Sequence, residues 1–292
     1  MTGLCLAPIA VGNGQPGLDT VRIRSVKVTE GIYMLLGAGG NIGVSAGADG
    51  AFLIDDQYAP LTDKIRAAVA GITNRPIRFV LNTHWHGDHT GGNERMGQVG
   101  ALIVAHENVR KRMSVAQFNK FFNSTTPPSP KAALPVVTFT QAVTFHLNND
   151  EIHAFHTEPA HTDGDAIIHF RRGNVVHMGD IYFNGMYPFI DVASGGSIDG
   201  VIAATDRAIA LSDDSTKVIP GHGPLSNRSG LRAYRAMLST IRERVKREIA
   251  ARKDLSAVLA AKPTAEFDAV WGKGFLPPQR FIEIVYADLS RP

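Results

Sequence analysis

Residues 82–92, NTHWHGDHTGG, constrain this chain more than any other part of it. His84, His86, Asp88 and His89 fall within six residues, directly after the apolar run IRFVL at 77–81. A helix would set His84 and His86 about 200° apart, unable to share an ion. An extended segment or a tight loop can turn both to one side. Gly87, Gly91 and Gly92 let the backbone fold closely around such a point. Neutral imidazole and carboxylate are the ligands zinc takes in open, catalytic sites. One or two loop histidines are ordinary surface residues; three, interleaved with an aspartate behind a buried strand, read as a metal-binding loop.

One loop seldom completes a site. His161 in EPAHTDGD, Asp180 after VVHMG and His222 after KVIPG each follow a short predicted strand and sit beside glycine or small residues. Ligands from separate strand ends converge on one edge of a sheet assembly, where active sites of α/β proteins commonly lie. The single cysteine, Cys5, excludes an internal disulfide and any zinc site with two cysteines. His106, His146, His153, His156, His169 and His177 match no ligand position and read as strand or surface residues.

The surrounding pattern is strands, then a helix, twice over. Consecutive antiparallel strands are expected from Val21 to Asp55, a helix over 61–72, and short strands at 77–81 and 101–105. A helix follows over 107–118. Residues 123–135, NSTTPPSPKAALP, form a long loop, either a lid or a plain surface excursion. Strands return at 142–147, 151–156, 166–170 and 175–177, then a helix over 198–211 capped by Ser197 or Asp199, and a strand at 217–219. In the helix expected over 229–251, Leu231, Tyr234, Leu238, Ile241, Val245 and Ile249 make one buried stripe, and the basic run at 242–247 is its solvated face. One last helix follows Pro278. The reading is an N-terminal arm or signal remnant over 1–20 and a single domain over 21–292.

Composition serves mainly to exclude. A surplus of three positive charges over 292 residues speaks against a dedicated nucleic-acid binder. No uncharged apolar stretch reaches the roughly 18 residues a membrane span needs. The apolar run at 4–11 lacks a preceding Lys or Arg, so a periplasmic or secreted location and a cytoplasmic one both stay open.

Taken together, HWHGDH at 84–89, AHTDGD around His161, HMGD ending at Asp180 and PGHG around His222 resemble the metallo-β-lactamase superfamily, in that family's order. The resemblance implies a four-layer αββα sandwich of α/β class with metal at one edge. It implies one Zn2+ on His84, His86 and His161, a second on Asp88, His89 and His222, and Asp180 bridging them. It further implies a dinuclear hydrolase whose bridging hydroxide attacks the carbonyl of a small β-lactam, lactone, ester or thioester. Aspartate at 180, where specialised lactamases carry cysteine or serine, and the short GAGGN connection at 37–41 point to weak lactam hydrolysis. The alternatives are a glyoxalase-II-like thioesterase and, less favoured, a nuclease of the same fold. Asp88 is the catalytic carboxylate. Asn184 is an oxyanion donor or a turn former before Gly185, and Tyr187 is placed near the substrate. Asp165 either orients a ligand histidine or holds a turn, and Trp85 is a packing anchor.

Overall fold

The structure, a computed structural model, describes residues 17–119 and 121–291. Cys5 and the apolar run at 4–11, on which the arm or signal reading rests, lie outside the described residues. The end of that stretch, Leu18–Thr20, is a 3-10 turn with Leu18 buried. Lys64 holds it by donating to the carbonyls of Leu18, Asp19 and Val21.

The first sheet contains β1 (Arg24–Thr29), β2 (Ile32–Leu36), β3 (Ile42–Gly47), β4 (Gly50–Ile54), β5 (Ile77–Leu81) and β6 (Leu102–His106) in that spatial order. A hairpin of β7 (Gln117–Asn119) and β8 (Ser124–Thr126) stands apart, and β9 (Val137–Phe139) closes the first sheet beside β6. The second sheet runs β10 (Ala142–Leu147), β11 (Asp150–His156), β12 (Ala166–Phe170), β13 (Val175–His177), β14 (Lys217–Ile219) and β15 (Ser226–Asn227). The expected antiparallel pairing holds for β1 to β4, whereas β4–β5, β5–β6, β6–β9 and β13–β14 are parallel.

Side-chain alternation builds the layers. Along β12, Ala166, Ile168 and Phe170 face Met34, Phe52, Ile54 and Leu81 of the first sheet, and this is the core between the sheets. Ile167 points the other way, into a core shared with α5 (Ile198–Leu211) and α6 (Arg228–Ala250). The outer face of the first sheet packs Leu35, Val44, Leu53 and Val80 against Ile65 and Val69 of α1 (Thr62–Ala70). The result is the αββα sandwich. Ser197 caps α5 as expected, and all of the expected α6 stripe is buried except the half-buried Ile249.

Two expectations need correction. Two short helices, α2 (Gly87–Thr90) and α3 (Asn93–Gln98), follow β5, and the helix expected to reach residue 118 is α4 (Glu107–Met113). Ser114 turns its hydroxyl back onto the Arg110 carbonyl, and the Gln117 amide takes the Arg112 carbonyl, so the chain leaves the helix and enters β7. The segment at 123–135 is not structureless. Its start forms β8, and Ala133 and Leu134 bury against Trp85. The helix expected after Pro278 is α9 (Pro278–Leu289), and two short helices not read from the sequence, α7 (Leu255–Ala260) and α8 (Asp268–Trp271), precede it.

Candidate metal centre

Strand direction gathers the site. β11 and β13 both pair antiparallel with β12, and β14 is parallel to β13, so these three strands point the same way. His161, Asp180 and His222 follow their carboxyl ends. In the first sheet β5 delivers the 82–90 segment to the same edge. His86 is extended (φ −65°, ψ 147°) and caps α2, which carries Asp88 and His89. The first two histidines thus lie on non-helical backbone, as their spacing requires.

All seven expected ligands meet. His84, His86, His161 and Asp180 form one cluster of potential ligand atoms, and Asp88, His89 and His222 form a second. Within the first, His86 Nδ1 lies 3.1 Å from His84 Nε2 and 2.9 Å from His161 Nε2. Asp180 stands between the clusters. Its Oδ2 is 3.8 Å from His84 Nε2 and 3.6 Å from His161 Nε2. Its Oδ1 is 3.1 Å from His89 Nε2 and 3.4 Å from His222 Nε2. Asp88 Oδ2 lies 3.3 Å from His222 Nε2.

The outer neighbours decide which nitrogens are bare. The Phe189 carbonyl can only accept, so His161 Nδ1 donates to it at 2.7 Å and Nε2 keeps its lone pair. Asp191 Oδ2 accepts from His86 Nε2 at 3.0 Å, leaving Nδ1 bare. Asp55 Oδ2 accepts from His89 Nδ1 at 2.8 Å. Thr83 donates its hydroxyl to Asp55, so its oxygen accepts from His84 Nδ1. Two lone pairs 2.9 Å apart repel unless something electropositive lies between them. His89 Nε2 and Asp180 Oδ1 are buried without a hydrogen-bond partner among the described residues. An inward-facing set of bare imidazoles, orphaned atoms and carboxylates fits divalent cations of the zinc type.

The electrostatics agree. Burial pushes the Asp88 carboxyl up, but His89 and His222 hold it down at about 2. Burial likewise works against Asp180, and His222 and His89 keep it well below the usual carboxylate range. Burial lowers His222, and Asp180 and Asp88 overcome this and carry it to about 10. Burial dominates at His161, at about 4, and places His84 well below the ordinary imidazole value. Where no cation is bound, protons on the second cluster balance its carboxylates.

Other expected residues have different work. Asn184 Oδ1 accepts from Tyr182 and its Nδ2 donates to the Pro224 carbonyl, so it fastens the loop that carries His222. The Tyr187 hydroxyl is directed to Asp268 and the Thr264 carbonyl, away from the centre, which corrects its expected place near substrate. Asp165 accepts from the backbone of His161 and Thr162 and from the Thr162 hydroxyl. It therefore shapes the His161 loop and touches no ligand ring. Trp85 is buried against Val109 and Met113, as a packing anchor would be. His177 is buried and holds the Asn41 carbonyl.

Asp191, Asp55 and Tyr58 were not singled out from the sequence. Asp55 was open to notice, since it ends the apolar run AFLID and takes a left-handed φ of 66°. Asp191 carries no local signal, because its partner His86 is 105 residues away. Tyr58 is half-buried beside the centre; burial, with Asp88 and Asp180, raises its phenol above the ordinary value and keeps it a donor.

Residues 37–222 match the profile of the metallo-beta-lactamase superfamily. A hydroxyacylglutathione hydrolase of Nitrosococcus oceani is 26% identical over 172 residues, which span 59% of this chain and 58% of that protein. The alpha subunit of a 2,4-dinitroanisole O-demethylase from a Nocardioides species is 23% identical over 221 residues, 74% of this chain and 60% of that one. The chain thus spans less than two thirds of the length of these curated relatives. Among solved structures, a metallo-beta-lactamase from Pontibacter korlensis superposes with a TM-score of 0.62 at 18% identity, over 75% of this chain and 99% of that one. The mono-zinc form of the FIM-1 metallo-beta-lactamase from Pseudomonas aeruginosa gives 0.60 at 17% identity, over 75% and 96%.

Proposed function

The chain belongs to the metallo-beta-lactamase superfamily, and from that premise we propose a hydrolase that holds two zinc ions and cleaves a small ester, lactone or thioester. His84, His86 and His161 would hold one ion, Asp88, His89 and His222 the other, with Asp180 shared. The observation that carries this reading is the division of Asp180, one carboxylate oxygen toward each histidine cluster. Bound there, two divalent cations supply Lewis acidity toward a carbonyl oxygen and make water reactive at neutral pH.

The side chains of this chain do the rest. Asp88 is the carboxylate that faces solvent, at 22% exposure against 5% for Asp180. Asp88 is therefore the carboxylate placed to orient the attacking water by accepting a hydrogen bond from it. Asp180, enclosed, keeps the two clusters in register. Tyr58, held protonated, can donate to a developing negative charge.

The likeness to hydroxyacylglutathione hydrolases supports the thioester branch, as does a carboxylate at 180. The connection between β2 and β3 supports slow lactam turnover. It is bonded down onto the centre, Gly40 N to the Asp88 carbonyl and Asn41 N to that of Gly221, and does not project over it.

The test is zinc analysis with a substrate panel: S-lactoylglutathione, a simple acetyl thioester, a γ-lactone, nitrocefin and a carbapenem. Two zinc ions per chain and chelator-sensitive thioester, ester or lactone hydrolysis are expected, with both lactams slow. Turnover that survives complete zinc removal, or Asp180→Asn protein that binds both ions with full activity, refutes the reading.

A further inference from the structure

Solvent reaches the centre unevenly. In the first cluster the His84 and His161 side chains are 1% exposed, whereas that of His86 is 16% exposed. In this cluster the His86 ring is the side chain that most meets solvent. Beside it lies Phe189, its centroid 6.1 Å from that of His86 and 6.0 Å from that of His161. Phe189 is fixed, because its own carbonyl holds His161 Nδ1. Against Phe189 pack Phe122, at 4.9 Å, and Phe121, at 5.6 Å. Phe121 is pinned by the Arg280 guanidinium, 3.9 Å over its ring and bonded to its carbonyl. Phe122 is not covered; 44% of its surface faces water. An exposed ring joined through Phe189 to the ligands of a reactive centre is apolar surface left open beside that centre.

We propose that Phe122, backed by the buried Phe189, forms an aryl-binding wall on the His86 side of the centre, and that the substrate carries a flat aromatic group close to its scissile carbonyl. The inference rests on the hydrolase reading above and narrows its substrate class. Offset or edge-on ring pairs add about 0.5–1.5 kcal/mol beyond the area they bury. The wall is already in place, so binding need not order it. The hairpin of β7 and β8 is tied at its base, where Gln117 and Arg112 exchange hydrogen bonds and Arg112 forms a two-pronged ion pair with Asp163. It is a fixed wall, not a closing lid.

The test compares two N-acetylcysteamine thioesters, phenylacetyl and acetyl, by thiol release. The zinc-loaded protein is expected to favour the phenylacetyl compound in kcat/KM by about tenfold or more, and Phe122→Ala to cut that ratio about tenfold, mainly through KM. Phe122→Tyr keeps the ratio, as does Phe118→Ala, which alters an exposed ring elsewhere on the hairpin. An unchanged ratio in Phe122→Ala overturns the wall and leaves the ring as a prop for the hairpin. Calorimetric titration with phenylacetate and acetate separates the two readings. If neither thioester is hydrolysed, yet phenylacetate binds about tenfold more weakly to Phe122→Ala, the wall stands and the hydrolase reading falls. Equal phenylacetate affinity for both proteins overturns the wall.

Discussion

His84, His86, His89 and His161 are each set by a group that receives the other ring proton. His86 depends on the Asp191 carboxylate for this, and Asp191 is itself held by the Ser194 hydroxyl and amide. Removing such an outer partner typically costs 10–100-fold in metal affinity or activity. Asp191→Ala should therefore weaken zinc binding by about that factor, measured by competition with a chromophoric chelator. Wild-type affinity would mean that Asp191 serves only the 192–194 turn. The seven inward-facing residues were legible in the sequence, because glycine-flanked His and Asp after apolar runs are a chemical signature. Their outer partners were not. Asp191 and the Phe189 carbonyl are recruited by tertiary approach, and no spacing in the chain announces them. Asp165 shows the converse: its TDGD motif left two roles open, and the fold directs it to the backbone of the His161 loop.

At the scale of elements, the loops that present these residues are locked to each other across the sheets. Asn41, just before β3, donates to the carbonyls of Pro220 and Gly223 and so grips both sides of His222. Gly221 lies so close to the centre that a Cβ there would fall 2.1 Å from Asp180 Oδ1 and 2.6 Å from Gly179 backbone atoms. Backbone cannot step aside as a flexible side chain can. Gly221→Ala should cost about 1–3 kcal/mol of stability and displace Asp180 from one cluster. A lower urea midpoint with less than full zinc content is the expected result; wild-type values for both would show that the loop yields freely. Element type and extent were mostly readable, since β12, β13, β14 and α5 lie where periodicity puts them. Parallel pairing was not, because partners such as β13 and β14 are joined through a whole helix and nothing local records their register. The hairpin of β7 and β8 was also missed. Three-residue strands rich in Ser, Thr and Asn give no apolar alternation. The basic run on α6 was read correctly as a surface face, and Arg242 and Arg244 are spent on Asp199, Glu243 and Glu266.

Across the whole molecule, the four-layer sandwich brings an unusual density of buried acid to one edge. Asp55, Asp56, Asp165, Asp180 and Asp191 are all buried. Asp56 binds the Gly92 amide through Oδ1 while its Oδ2 has no partner among the described residues, and burial pushes its pKa well up. Buried carboxylates and converging lone pairs repel unless compensated, so the cations proposed here would act on the fold as well as on the chemistry. A ligand at about a hundred times its Kd stabilises the folded state by about 2.7 kcal/mol. For a chain of this size that corresponds to a shift of about 4–5 °C in Tm. Chelation should therefore lower Tm by about that amount together with the loss of activity. Zinc should restore both, whereas magnesium, which prefers all-oxygen octahedral shells, should restore neither. If the zinc-stripped protein melts at the temperature of the loaded one, the acidic edge is balanced by protons alone, and the centre contributes to reactivity without holding the two sheets in place.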